Sequence, residues 1–125
     1  MAAPRTVIFG CDHGAIELKV CALSCFVFAL RIASLTQHLK NILRDHVKTK
    51  DNANVIDVGV NTPDAVDYPD IAALVCKQVL STPGSAGIVL CGSGIGISIA
   101  CNKINGIRCA LCHDYYSAEM CAALF

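Results

Sequence analysis

The sequence predicts an α/β fold, a three-layer α/β/α sandwich around a mainly parallel sheet, from two patterns. Short, nearly continuous apolar runs alternate along the chain with longer segments whose apolar residues recur every three or four positions. The short runs lack the in-out alternation of a half-exposed sheet, so both of their faces must be covered, as in a parallel sheet with helices on each side. With 125 residues the chain builds one real core and is too short for two ordinary domains, so residues 1–125 are expected to form a single domain.

The first run, Thr6 to Gly10, reads as a buried strand feeding the loop Gly10-Cys11-Asp12-His13-Gly14. A long helical pattern then follows through Ile16, Val20, Leu23, Val27, Leu30, Leu35, Leu39, Ile42 and Leu43, as one helix or as two with a break near Ser34-Leu35-Thr36. Asn54 to Gly59 reads as a second strand, and a loop leads from Val60 to Pro69. Pro69 suits the first turn of a helix running to about Leu80, because its φ is already helical and its missing N–H would have no partner there. Ala86 to Leu90 is a third buried strand, which enters the glycine-rich loop Cys91-Gly92-Ser93-Gly94-Ile95-Gly96 and a helix to about Lys103. Arg108 to Cys112 is a fourth strand, and a last helix begins at Ser117. Such an order makes a Rossmann-like sheet, in which ligands sit outside the carboxyl ends of the strands. That edge collects Asp12, His13, Tyr68, the Cys91 loop, His113 and Asp114.

Ten Lys plus Arg balance ten Asp plus Glu, so no overall field exists to hold a nucleic acid or an anionic membrane, and neither is expected as a partner. The apolar stretch Val20 to Leu35 is interrupted by Ser24, Arg31 and Ser34 and is too short to span a bilayer. Nine cysteines, an odd number, without a signal-peptide pattern at the start point to reduced thiols, a cytoplasmic location, and cysteines that serve as small buried hydrophobes.

A glycine-rich turn entering a helix gathers several backbone N–H groups and suits an anion or an oxyanion, unless it is simply a tight structural turn. A dinucleotide fingerprint is disfavoured, because it normally sits in the first βαβ unit with an acidic residue about 20 positions later, whereas these glycines follow the third strand. Cys91 stands where the amino end of the following helix favours a thiolate, which serves as a base or a nucleophile. Asp12 with His13, and His113 with Asp114, offer a carboxylate beside an imidazole, although Asp114 or Ser117 equally suits a helix cap. Cys109-Ala110-Leu111-Cys112-His113 spells the letters of a haem-attachment motif, but positions three apart on a strand face opposite sides of the sheet. No cysteine or histidine cluster has zinc-ligand spacing, and no metal or cofactor is expected.

Taken together, Gly10-Cys11-Asp12-His13-Gly14, Val55 to Gly59, Asp67-Tyr68-Pro69, the long segment Gly87 to Ala100, Asn102-Lys103 and Gly106 to Ala110 resemble the ribose-5-phosphate isomerase B family, also called ribose/galactose isomerases. The resemblance spans residues 6 to about 120, and its glycine-loop segment is specific. It implies aldose-ketose isomerisation of a sugar phosphate, most directly ribose 5-phosphate to ribulose 5-phosphate in the pentose phosphate pathway, through an enediolate and without metal or cofactor. By position it makes Cys91 the base, gives proton passage between the substrate oxygens to the Ser93 hydroxyl, and gives the enediolate oxygens to the backbone of Gly92, Gly94, Ile95, Gly96 and Ser98. Asp12 is expected to bind sugar hydroxyls, His13 to lie near the phosphate or ring end, and Tyr68 to line the pocket. The assembly implied is a homodimer or homotetramer.

Two departures accompany the resemblance. Val20 to Thr36 holds apolar residues beyond the family's shorter first helix and is expected as an insertion that disturbs packing. The family also continues past the position of Phe125 with a His-Asn-Asp segment, a strand and a helix bearing phosphate-binding arginines, so the chain is expected to be C-terminally truncated. That leaves, besides the isomerase, a catalytically impaired variant that binds sugar phosphate or another subunit, and a nucleotide-binding module.

Overall fold

In the computed structural model of the chain, residues 6–11, 27–31, 45, 48, 53–60 and 65–124 are described. They form five strands, β1 (Thr6–Cys11), β2 (Val27–Arg31), β3 (Asn54–Asp57), β4 (Ala86–Cys91) and β5 (Cys109–Cys112). Helices whose bounds are described accompany them, α1 (Tyr68–Ser81), α2 (Ile95–Asn102) and α3 (Tyr115–Leu124), and Asp45 and Lys48 are helical as well. The strands make one sheet in the order β3-β1-β4-β2-β5, with every pairing parallel.

Alternate residues of each central strand enter separate cores on the two sides of the sheet. Val7, Phe9 and Cys11 of β1 and Ile88 and Leu90 of β4 pack with Cys112 of β5 and with Ala118 and Cys121 of α3. Ile8, Val89 and Cys91 face the other way, against Ile71, Val75 and Cys76 of α1 and Ile97 and Cys101 of α2. This division is the period-two geometry of a strand applied to runs that are apolar at every position. Each fully buried aliphatic side chain, such as Ile8, Leu90 or Ile97, stabilises the fold by about 1.5–3 kcal/mol relative to exposure. Cys109 borders the second core and Cys112 belongs to the first, so the two cysteines of the haem-like motif lie on opposite faces.

The first helix obeys the start signal in its sequence. Asp67 is the N-cap in an extended conformation, Pro69 sits in the first turn, and Asp70 adds negative charge at the amino end. It lies close on β1, since a Cβ on Gly10 would come within 2.4 Å of Val75 Cγ2.

One sequence expectation is overturned here. The helix expected to run from Ile16 to Leu43 cannot include Val27 to Arg31, which form a strand between β4 and β5. A short apolar run with two β-formers, Val27 and Phe28, satisfies a buried helix and a central strand equally well, and tertiary pairing on both edges decides for the strand. Far from lying outside the sheet, this part of the expected insertion is inside it. The remaining residues of that pattern, and Asp12 and His13, lie outside the described residues.

Candidate active site

At the carboxyl end of β4 the chain must leave the sheet and enter α2 within three residues, Gly92, Ser93 and Gly94. Gly94 makes this possible by adopting φ +76°, a left-handed conformation that a Cβ disfavours. The turn points the Gly94 N–H back at the Cys91 sulfur at 3.1 Å. Cys91 itself is buried, at 4 % exposure, while Gly92 and Ser93 beside it are exposed. A backbone donor is thus aimed at the sulfur, at the amino end of α2.

The Ile95 N–H meets the Ser93 Oγ at 3.3 Å. The Ser98 N–H donates to Gly94 O at 3.1 Å and the Ser98 hydroxyl to Ile95 O at 2.8 Å, so both groups of Ser98 are engaged within the helix. Of the expected oxyanion donors, Gly94 and Ile95 thus hold protein acceptors that a ligand oxygen can replace, whereas Ser98 acts by shaping the first turn.

Tyr68, the first residue of α1, is 41 % exposed and lies over that same turn. A Cβ on Gly96 would approach Tyr68 Cζ to 2.8 Å and its hydroxyl oxygen to 3.1 Å. Glycine at 96 is therefore what lets the phenol ring lie against the cradle. Tyr68, distant in the chain, is brought against Gly96 of the loop that holds Cys91 and Ser93 by the packing of α1 against α2.

The last strand end is structural. Asp114 Oδ1 accepts the Ser117 N–H at 2.7 Å, and the Ser117 Oγ accepts the Asp114 N–H at 3.3 Å, which caps α3 reciprocally. These bonds from the Ser117 backbone and hydroxyl, with His113 3.3 Å away, hold the Asp114 carboxyl below the usual carboxylate range.

Behind the loop lies a set of buried thiols. Cys101 is pushed up to about 12, chiefly by its hydrogen bond with Cys109, with burial and negative charge at Cys109 and Cys91 adding to the shift and the Cys76 thiol opposing it. Cys76 is raised further, first by its bond with Cys101 and then by burial. These groups stay protonated beneath Cys91. None of the seven described cysteines is in a disulfide, and among the described residues no group of three or more His, Cys, Asp or Glu side chains is arranged to hold a metal ion.

A cavity of about 480 Å³ opens beside the site, between Val58, Gly59 and Val60 after β3, Ala65 to Asp67, and Asp70, Ile71 and Leu74 of α1. It does not include Cys91. The glycine loop, not this cavity, combines the Cys91 sulfur with the N–H donors of Gly94 and Ile95.

Arg31, which the helical pattern hides, ends β2 with its Cα paired to that of Cys91. The signal available for it in the sequence is a single charge closing a run of four apolar residues.

The sequence pattern described as Ribose/Galactose Isomerase matches residues 30–124. The chain is 33% identical over 116 residues to ribose-5-phosphate isomerase B of Escherichia coli, covering 93% of this chain and 63% of that protein. It is 42% identical over 82 residues to D-erythrulose-4-phosphate isomerase of Pectobacterium atrosepticum, covering 65% and 53%. The solved type B ribose 5-phosphate isomerase of Leishmania infantum superposes with a TM-score of 0.71 at 35% identity, over 94% of this chain and 64% of that one. The chain thus spans between about half and two thirds of the length of these relatives.

Proposed function

Since the chain belongs to the Ribose/Galactose Isomerase family, we propose that it interconverts ribose 5-phosphate and ribulose 5-phosphate at the β4–α2 loop. The observation that carries this is the Cys91 sulfur 3.1 Å from the Gly94 N–H at the mouth of a helix. A hydrogen beside a carbonyl is a weak acid, so its removal needs a base and a place for the charge that develops on oxygen. The Cys91 thiolate takes the proton from C2 of the open-chain aldose, and the carbonyl oxygen at C1 becomes the enediolate oxygen. The N–H groups of Gly94 and Ile95 then receive that oxygen in place of the sulfur and the Ser93 hydroxyl. The Ser93 hydroxyl passes the proton from O2 to O1, and Cys91 returns its own proton to C1 to complete the ketose. No electron leaves the substrate, and no cofactor takes part.

Asp12 and His13 are proposed to hold the sugar hydroxyls and the phosphate end, and Tyr68 to wall the pocket above Gly96. The domain works as a homodimer or homotetramer in this account, supported by the exposure of Ile95 and Ile99 on α2. A cytoplasmic location is supported by the absence of disulfides among the described cysteines, and among the described residues no helix is long and apolar enough to cross a membrane.

Purified protein mixed with ribose 5-phosphate is expected to form ketose, and erythrulose 4-phosphate, itself a ketose, is assayed beside it for formation of the aldose phosphate. Ligand-induced thermal stabilisation without any ketose would replace the enzyme by a sugar-phosphate-binding variant of the same fold.

A further inference from the structure

The ends of β1 and β3 stay joined past the strands themselves. Beyond Asp57 the pairing continues, with the Val58 N–H donating to Phe9 O at 2.8 Å and the Val60 N–H to Cys11 O at 3.2 Å. Between them, Asp57 Oδ1 accepts the Gly59 N–H at 3.0 Å, a local turn that bends the chain at Gly59. The Cys11 thiol donates in turn to Val60 O at 3.9 Å. Cys11 is the last residue of β1 and is buried, at 4 % exposure. The residue that follows it in the sequence is Asp12.

Gly59 approaches Cys11 at a distance that only the absence of a side chain permits. A Cβ on Gly59 would lie 2.4 Å from Cys11 N and 3.1 Å from both Cys11 O and Gly10 Cα. At Gly10 and Gly96 the crowding atoms belong to the side chains of Val75, Ile71 and Tyr68. At Gly59 they are all backbone, so relief requires one strand end to move against the other. Restoring ordinary van der Waals contact takes a shift of about 1 Å, and it falls on the residue that leads into Asp12.

We infer that Gly59 is a positioning residue of the site: by lying against the Cys11 backbone it sets the direction in which the chain leaves β1, and so where the Asp12 carboxylate meets the sugar. Gly59 acts through Cys11 and not on the substrate. The Asp57 carboxylate supports it by holding the Gly59 N–H. The end of β3, which supplies no group to the chemistry at Cys91, then has a functional consequence.

The inference rests on the site proposed above, in which Asp12 holds sugar hydroxyls, and the two are tested separately. Binding of ribose 5-phosphate is measured by titration calorimetry, beside the ketose assay, for the parent, Gly59→Ala, Asp12→Ala and the double variant. Gly59→Ala is expected to weaken binding and to lower kcat/KM on the order of 10- to 100-fold. In the Asp12→Ala background the same substitution is expected to change binding by no more than about 2-fold, because the group it displaces is gone. Asp57→Ala removes the turn bond without adding an atom. It is expected to show the same dependence on Asp12 with a smaller loss, and it gives the reading if Gly59→Ala does not fold. Undiminished binding by folded Gly59→Ala overturns the inference. So does an equal loss with and without Asp12, which marks a merely structural role. A loss of binding coupled to Asp12, in a protein that forms no ketose, would overturn the isomerase assignment and leave this inference standing.

Discussion

Gly96 shows how a single missing carbon shapes the site. A methyl group there would meet the tip of Tyr68 at 2.8 Å, and because that side chain is exposed and rotatable, the ring would swing away rather than the backbone shift. Gly96→Ala is therefore expected to keep the melting temperature near the parent value while raising KM for the sugar phosphate by roughly 10- to 100-fold. Steady-state kinetics beside a thermal melt checks it, and an unchanged KM would remove Tyr68 from the pocket. At this scale the sequence was informative about which residues gather and less so about how they bond. Cys91, Ser93, Gly96 and Tyr68 were all legible from the glycine loop and the Asp-Tyr-Pro segment. That Ser98 spends its hydroxyl on Ile95 O is a matter of rotamer and turn geometry, which residue letters do not encode.

Elements are held in register by contacts no periodicity reveals. The Asn102 side chain, at the end of α2, donates to Ser98 O at 2.9 Å and Cys109 O at 2.7 Å and accepts the Cys109 N–H at 2.9 Å, tying the helix to the first residue of β5. Asn102→Ala removes all three bonds and is expected to cost about 2 kcal/mol, read as a lower denaturant midpoint at unchanged slope. The strand β2 is the element the sequence concealed. Its run Val27-Phe28-Ala29-Leu30 continues the three- and four-residue apolar spacing on either side, and a short run that is apolar at every position has no period-two alternation with which to announce a strand. Ala29 pairs with Val89 and with Leu111, so Ala29→Pro deletes a ladder bond in mid-sheet and is expected to cost about 3 kcal/mol or more. Circular dichroism and solubility report that loss, and a native-like melt would put Val27–Arg31 outside the sheet. By contrast α1, α2 and β5 were legible to within a residue or two, because Pro69, the glycine loop and the short apolar run before His113 punctuate them.

Across the whole molecule, two cores on opposite faces leave buried thiols between sheet and helices. Cys101 is pushed up to about 12 from an ordinary 9.0, and Cys76 is raised as well. A thiol whose folded value lies above its unfolded value stabilises the fold fully below the unfolded value, and that contribution is lost as pH climbs through the folded one. Thermal stability is accordingly expected to decline between pH 9.0 and about 12, with Cys101→Ala flattening the decline. Melts across alkaline buffers for both proteins test this, and identical pH profiles would contradict it.

Cys91 differs from these thiols in accepting a backbone N–H at the exposed glycine loop, and on that placement the catalytic account depends. The most direct test is the rate of ketose formation from ribose 5-phosphate by the parent protein and by Cys91→Ala at matched folding. A fall on the order of 100-fold or more is expected for loss of the general base, with the melting temperature nearly unchanged. Equal rates in the two proteins would contradict it.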